Sequence, residues 1–502
     1  MITVRCQSDG ALIELAAERR LGRGGEAAIY AVPGREELAA KIWHRPTAER
    51  ARKLRAMLRN PPADPMRSHG CVSIAWPLDL LLSASGPSRV VGFLMPRVQG
   101  MSPIIDFFNP RARLEKRPLF NWLYLHRAAR NLAVALHAIH ERGYVVGDLN
   151  EMNILASETA LVAFVDTDSF QVRDPDSGEL FRCRVGRPEF TAPELQGVSF
   201  ARVNRLPEHD LFGLGILIFQ LLMEGTHPFA GVYRGPGEAP NIPERILCGH
   251  FPHVNEPGVP YKPMPAAPRF EWLHPVIQDR FVRCFCDGHL DPSLRPDTES
   301  WRYALEEAEG ALSVCPENEQ HVYSSHLDFC PWCRRAEQLG GWDTFPSVEA
   351  ARRGDHLRKR PRRKRRPATA RRPAARRYPR PSSRTSLPTP PPIPRGASRP
   401  SARFLSKSKQ SKGYDPIRAA FSALRRNEWS LGGVLCSGVG MAFAPFGAGG
   451  AFMAGAWGGC GFLLGLVGLY KAGDWGLEGR GRVSGLAAVL LGLADMAWAF
   501  LG

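Results

Sequence analysis

Cysteine is sparse: eleven residues in a chain of 502, at no short regular spacing, which excludes a disulfide-stapled scaffold. The N-terminus, Met1 to Gly10, has no apolar stretch, so no cleaved signal peptide is expected and the first domain should stay in the cytoplasm. Acids are few: 49 Asp and Glu against 66 Lys and Arg give a formal net charge of +17 and point to an anionic partner. From Leu431 to Tyr470 charge of either sign is missing altogether. What remains is 44% hydrophobic, which supports a globular majority, and the length is too great for one core, so two or more domains are expected.

The most informative stretch runs from Tyr144 to Phe170. An apolar run, Leu161 to Val165, has strand character and ends in Asp166; Asp148 sits upstream in a short loop with Asn153 five positions later. Two loop aspartates are common at turns. This spacing also suits phosphoryl transfer, in which one carboxylate orients the acceptor hydroxyl while an Asn and a second carboxylate hold metal ions.

Upstream, residues 2 to 15 alternate well enough for one or two strands, and L-G-R-G-G-E-A follows, with Gly22, Gly24 and Ala27 on a G-x-G-x-x-A spacing. Glycines there let backbone N–H groups approach phosphate oxygens. Lys41 falls on the next predicted strand. The helical segment Thr47 to Asn60 holds one acid, Glu49, and ends at Pro61, Pro62 and Pro65. Val72 to Leu82 and Val90 to Leu94 read as two further strands, and Leu123 to His140 as a long buried helix.

These landmarks, with Val146-Gly147-Asp148-Leu149-Asn150, Thr191-Ala192-Pro193-Glu194, Asp210-Leu211-Phe212-Gly213 and Asp291-Pro292-Ser293-Leu294-Arg295-Pro296 in that order, resemble the eukaryotic-like protein kinases. The resemblance implies a bilobal α+β fold, with an N-lobe β-sheet and a helical C-lobe. It implies ATP with Mg2+ or Mn2+ as cofactors and a serine or threonine hydroxyl of a protein as acceptor. Lys41 would reach the phosphates, paired with Glu49; backbone of Met95 to Val98 would receive adenine; Asp148 would be the catalytic carboxylate; Asn153 and Asp166 would bind the metal. Glu194, Asp210 and Arg295 would be structural. The sequence departs from the pattern at Gly147 and Asn150, where the family has Arg and Lys, and at Thr167 and Asp168, where it has Phe and Gly. A nucleotide-binding pseudokinase scaffold is therefore the alternative.

Beyond the kinase-like part, Cys315, His321, Cys330 and Cys333 are spaced C-x5-H-x8-C-x2-C, which suits a structural Zn2+ site better than a redox pair. The pairing of a V-G-D-L-N kinase with such a module resembles a group of bacterial kinase-like proteins. From Arg352 to about Lys412 the chain is rich in Arg, Pro and Ser and should be disordered. Such a segment can bind anionic lipid headgroups or nucleic acid. The uncharged run Leu431 to Tyr470 is long enough for a helical hairpin through a lipid bilayer, and Val483 to Leu501 for a third span. The partition expected is 1–312 kinase-like, 313–345 zinc module, 346–428 basic linker and 429–502 transmembrane, in the cell membrane with the kinase on the cytoplasmic side.

Overall fold

The computed structural model describes residues 1–357 except 87 and 255–257. The basic segment beyond Leu357 and the apolar runs expected to span a membrane lie outside the described residues. Among those described, no helix is long and apolar enough to cross a membrane.

The N-terminal part is a seven-stranded antiparallel sheet. Its strands are β1 (Ile2–Cys6), β2 (Leu12–Leu15), β3 (Arg20–Arg23), β4 (Ala27–Val32), β5 (Arg35–Trp43), β6 (Asp79–Ser83) and β7 (Val90–Pro96), in the order β2-β1-β6-β7-β5-β4-β3. Side chains alternate across the pleat. In β5, Leu38, Ala40 and Ile42 join one apolar cluster with Val4, Ile13 and Leu81. Lys41 and Trp43 therefore face the opposite side, where helix α1 (Ala48–Arg59) packs with Leu54 and Met57. Opposite Ile42, β7 carries Gly92, where a Cβ would lie 2.0 Å from the Lys41 carbonyl oxygen, so a larger residue would displace the strand bearing Lys41.

One expected strand is shorter than its apolar pattern suggested. Residues 72–78 make only an isolated bridge, Ile74 to Phe164. The Asp64 carboxylate accepts the Ser73 and Ile74 N–H groups at 2.8 and 3.0 Å and so takes donors that a ladder would need.

The C-terminal part is helical. A short strand β8 (Ser102–Pro103) and helices α2 (Ile105–Phe108) and α3 (Pro110–Lys116) lead into α4 (Trp122–His140). A small sheet of β8 with β9 (Ile154–Ala156) and β10 (Val162–Phe164) carries the loops between them. Helix α5 (Pro207–Leu222) is buried on almost every face, as its near-unbroken apolar sequence requires. Helix Thr298–Gly310 packs along α4.

The Cys/His segment is not separately cored. Its two strands, Leu312–Cys315 and Asn318–Ser324, and its helix Pro331–Gln338 place Trp332 and Phe345 in the same apolar cluster as Trp122 and Leu125 of α4. The basic segment expected from residue 346 opens on a further short helix, Val348–Arg353. Ser347 caps it by accepting the Ala350 N–H at 3.2 Å, and Glu319 accepts the Val348 N–H at 2.8 Å.

Candidate active site and metal centre

The β3–β4 turn, the end of β5, α1 and the loops after α4 and β10 enclose a cleft of about 600 Å³. Gly24, Ala27, Lys41, Asp148, Asp166 and Asp168 are among its walls. Asp148 is held on both carboxylate oxygens: Asn150 donates to Oδ1 at 2.9 Å and Asn153 to Oδ2 at 3.1 Å. The loop below is fixed by the buried Asp210 of α5, which accepts the N–H groups of Val146 and Gly147 at 2.7 and 2.8 Å and the His140 ring at 3.0 Å. Asn150 thus orients a carboxylate where the family pattern has a positive charge. Asn153 turns its amide nitrogen to Asp148, which leaves its oxygen as the atom able to meet a cation.

Gly147 has φ +75°, and a Cβ there would lie 2.9 Å from both Arg205 Nη1 and the Cys183 sulfur. No arginine side chain fits in that conformation and space. The guanidinium of Arg205, a residue 4% exposed, fills the place instead, stacked 3.9 Å from the Phe200 ring and donating to the Val185 carbonyl. It donates to the segment after Cys183 and packs against Gly147.

Asp166 stands in the left-handed region at φ 60°, ψ 33°, an uncommon conformation for a residue with a side chain. The strain turns its carboxylate to Lys41, whose ammonium is also held by Asp168. Burial disfavours the charged lysine, but the two carboxylates more than offset it and hold Lys41 above the usual lysine range. Thr167, at the Phe position, is buried and donates its hydroxyl to the Ala75 carbonyl at 2.8 Å, which fastens this turn.

Not every expected residue gathers here. Glu49 lines the cleft but does not meet Lys41: it lies in the first turn of α1, exposed, and pairs with Arg184 at 2.7 Å. Lys41 takes Asp166 and Asp168 instead, and Lys53, one turn after Glu49 on α1, donates to the Asp168 carbonyl. Gly22 sits within β3, paired with Ile29, and is not among the residues lining the cleft. Met95 is the penultimate residue of β7, opposite Ala39, and Val98 follows in the segment joining the two parts; neither lines the cleft. Lys53 and Arg205 carry no motif signal that sequence reading could have used, and Asn150 and Asp168 stood out only as departures from the family pattern.

At the Cys/His segment the donor atoms of Cys315, His321, Cys330 and Cys333 all lie within 4.8 Å of one another. The Cys315 and Cys333 sulfurs are 3.7 Å apart, and His321 Nδ1 is 3.3 and 3.6 Å from the Cys333 and Cys330 sulfurs. Bond lengths of about 2.3 Å to sulfur and about 2.0 Å to nitrogen put such edges near 3.5–3.8 Å, so this donor set fits a tetrahedral Zn2+. His321 donates its other nitrogen to Asp343 at 3.0 Å, the outer partner that fixes a ligating imidazole. Burial raises the Cys330 thiol, but His321 and the Cys333 N–H stabilise the thiolate and bring it down to about 7.

Comparison with known proteins follows the same division. The chain is 34% identical over 322 residues to the protein kinase YegI of Escherichia coli O157:H7, and equally to that of strain K12; the match covers 63% of this chain and 48% of each relative. This chain is similar to protein kinases. It spans about half the length of the E. coli kinases. Rat NUAK family SNF1-like kinase 2 is 26% identical over 171 residues, 34% of this chain and 23% of that one. A solved structure, the ROP18 kinase domain in complex with AMP-PNP and sucrose, gives a TM-score of 0.40 at 17% identity, over 61% of this chain and 82% of that chain. No family model matches this sequence.

Proposed function

We propose that this protein is a kinase that transfers the γ-phosphoryl group of ATP to serine or threonine hydroxyls of a protein. The observation that carries the reading is the convergence of Lys41, Asp148 and Asp166 on one cleft below a glycine-containing turn. Asp148, steadied by Asn150 and Asn153, accepts the hydroxyl proton and aims the oxygen. Asp166 and the Asn153 oxygen hold Mg2+ or Mn2+, which supplies neutralisation of the phosphate charge. Lys41 reaches the phosphates from β5.

One observation favours a second reading, a nucleotide-binding scaffold without transfer: the Lys41 ammonium is already occupied by two carboxylates, one of which the metal needs. Transfer from labelled ATP by the full chain with Mg2+ or Mn2+, beside Asp148→Ala, separates the two. Label that disappears in Asp148→Ala supports the kinase; tight nucleotide binding with no transfer favours the scaffold.

The same proposal places structural Zn2+ on Cys315, His321, Cys330 and Cys333, supported by the donor spacings. It places the protein in the cell membrane with the kinase on the cytoplasmic side, supported by the uncharged run Leu431 to Tyr470 behind a polybasic stretch. Contact of that stretch with anionic lipid headgroups is favoured over nucleic acid for the same reason.

A further inference from the structure

Helix α1 meets the cleft with a cation. Its first-turn acid, Glu49, is taken by Arg184. One turn on, Lys53 lines the cleft, half-buried, and its ammonium donates to the main-chain carbonyl of Asp168 at 2.6 Å. No carboxylate lies within ion-pair distance of Lys53 among the described residues. Asp168 itself is fully engaged: Oδ1 takes Lys41, Oδ2 accepts Trp43 Nε1–H at 3.2 Å, and its side chain is 13% exposed. One residue thus holds two lysines, Lys41 by its carboxylate and Lys53 by its carbonyl.

We propose that Lys53 is a second phosphate-binding cation of the nucleotide site, and that Asp168 is the positioning residue that sets Lys41 and Lys53 together for a polyphosphate. The proposal rests on the kinase reading above. A half-buried ammonium satisfied only by a neutral carbonyl lacks counter-charge, and an anionic phosphate entering the cleft supplies it. Two lysines brought to one aspartate repel each other, and that repulsion is relieved when the anion arrives between them. Removal of water at the cleft wall strengthens each charge-assisted hydrogen bond.

The test measures binding of ATP and of adenosine to the full chain, by displacement of a fluorescent ATP analogue in the presence of Mg2+. Lys53→Met is expected to weaken ATP about ten-fold while leaving adenosine unchanged, and Lys53→Arg to recover most of the loss. Asp168→Asn is expected to weaken ATP to a similar degree, again without change for adenosine. Melting temperatures of the variants identify any that fail to fold, and the Lys53→Arg comparison then decides. ATP affinity untouched by Lys53→Met, or ATP and adenosine weakened in parallel, overturns the proposal while leaving the kinase reading intact. A wild-type chain that binds no ATP overturns the kinase reading and this proposal with it.

Discussion

Arg295 grips Glu194 with both arms, donating from Nη1 and Nη2 to the two carboxylate oxygens at 2.7 Å each. The same guanidinium donates to the carbonyls of Glu208 at 2.8 Å and Gly288 at 2.9 Å and lies 5.2 Å from the Phe212 ring. One arginine thereby joins the end of the segment after the catalytic turn, the start of α5 and the loop before Thr298–Gly310. Its side chain is wholly buried, so Arg295→Ala strands a carboxylate and two carbonyls at once. We expect a loss of about 3 kcal/mol, read as a lower denaturant midpoint with unchanged slope. A midpoint within experimental error of wild type would show the grip to be energetically neutral.

A second buried cluster sets the Cys/His segment against the helical part. Glu224 lies between Arg113 of α3, at 2.5 Å, and Arg335 of the helix Pro331–Gln338, at 3.0 Å, with all three side chains 8% exposed or less. Arg113 also donates to the Thr344 carbonyl at 3.1 Å and stacks 4.4 Å from Phe345. Glu224→Ala leaves two buried cations uncompensated and is expected to cost about 3–5 kcal/mol. Because Trp332 shares the main core, the Cys/His segment and the rest should still unfold together. Two separate transitions in calorimetry would contradict that coupling.

Metal binding should depend on a residue outside the four ligands. Asp343→Asn keeps the shape but weakens the hold on His321, and a loss of about 10–100-fold in Zn2+ affinity is expected by competition with a chelating dye. Cys330→Ser should lower the bound metal by about one equivalent. A protein that purifies without metal, or equal affinity in Asp343→Asn, would count against the site.

Stability should fall on mild acidification. Burial keeps the rings of His126 and His227 neutral, lowering each from 6.5 to about 4. His227 uses both nitrogens, donating to the Glu189 carbonyl at 2.9 Å and accepting the Phe229 N–H at 3.2 Å, so a proton has no free site. Their folded pKa values lie below the unfolded ones, so the unfolded chain takes up protons first. The contribution is full above about pH 6.5 and is lost as pH drops toward 4, by up to about 1.4 kcal/mol per pH unit for each histidine. Urea titrations at pH 7.5 and 5 check this; replacing His227 by Gln should flatten part of the slope.

Transfer itself should depend on the orientation of one carboxylate. Asp148→Ala is expected to lower kcat by about 10²-fold or more with nucleotide affinity little changed. Asn150→Ala, which releases Oδ1 of Asp148, should lower kcat by a smaller factor. A kcat unaffected by Asp148→Ala would remove that residue from the reaction.

Much of this fold was legible in the chain because its signals are local. Alternation in β5 put Lys41 opposite the apolar face of Leu38, Ala40 and Ile42, and the unbroken apolar run after Asp210 could only be a buried helix. The spacing of Asp148, Asn153 and Asp166 came from a loop and a strand that any fold would keep short. The C-x5-H-x8-C-x2-C spacing likewise gave all four clustered donors, since two of them lie on one tight turn.

Partners far apart in sequence were decided only by tertiary structure. Glu49 was the one acid available to Lys41 in α1, yet it pairs with Arg184, and Lys53, one turn further along the same face, donates to the Asp168 carbonyl. Lys41 finds Asp168, 127 positions away, and His321 finds Asp343, neither marked by a motif. The exchange of Arg for Gly at 147 reads as a loss in one dimension; in three, Arg205 fills that space from the loop before α5. Periodicity and spacing fix which residues share a face, because chain geometry repeats. Which charges meet across the cleft depends on how whole elements rotate and pack, and no repeat in the sequence encodes that.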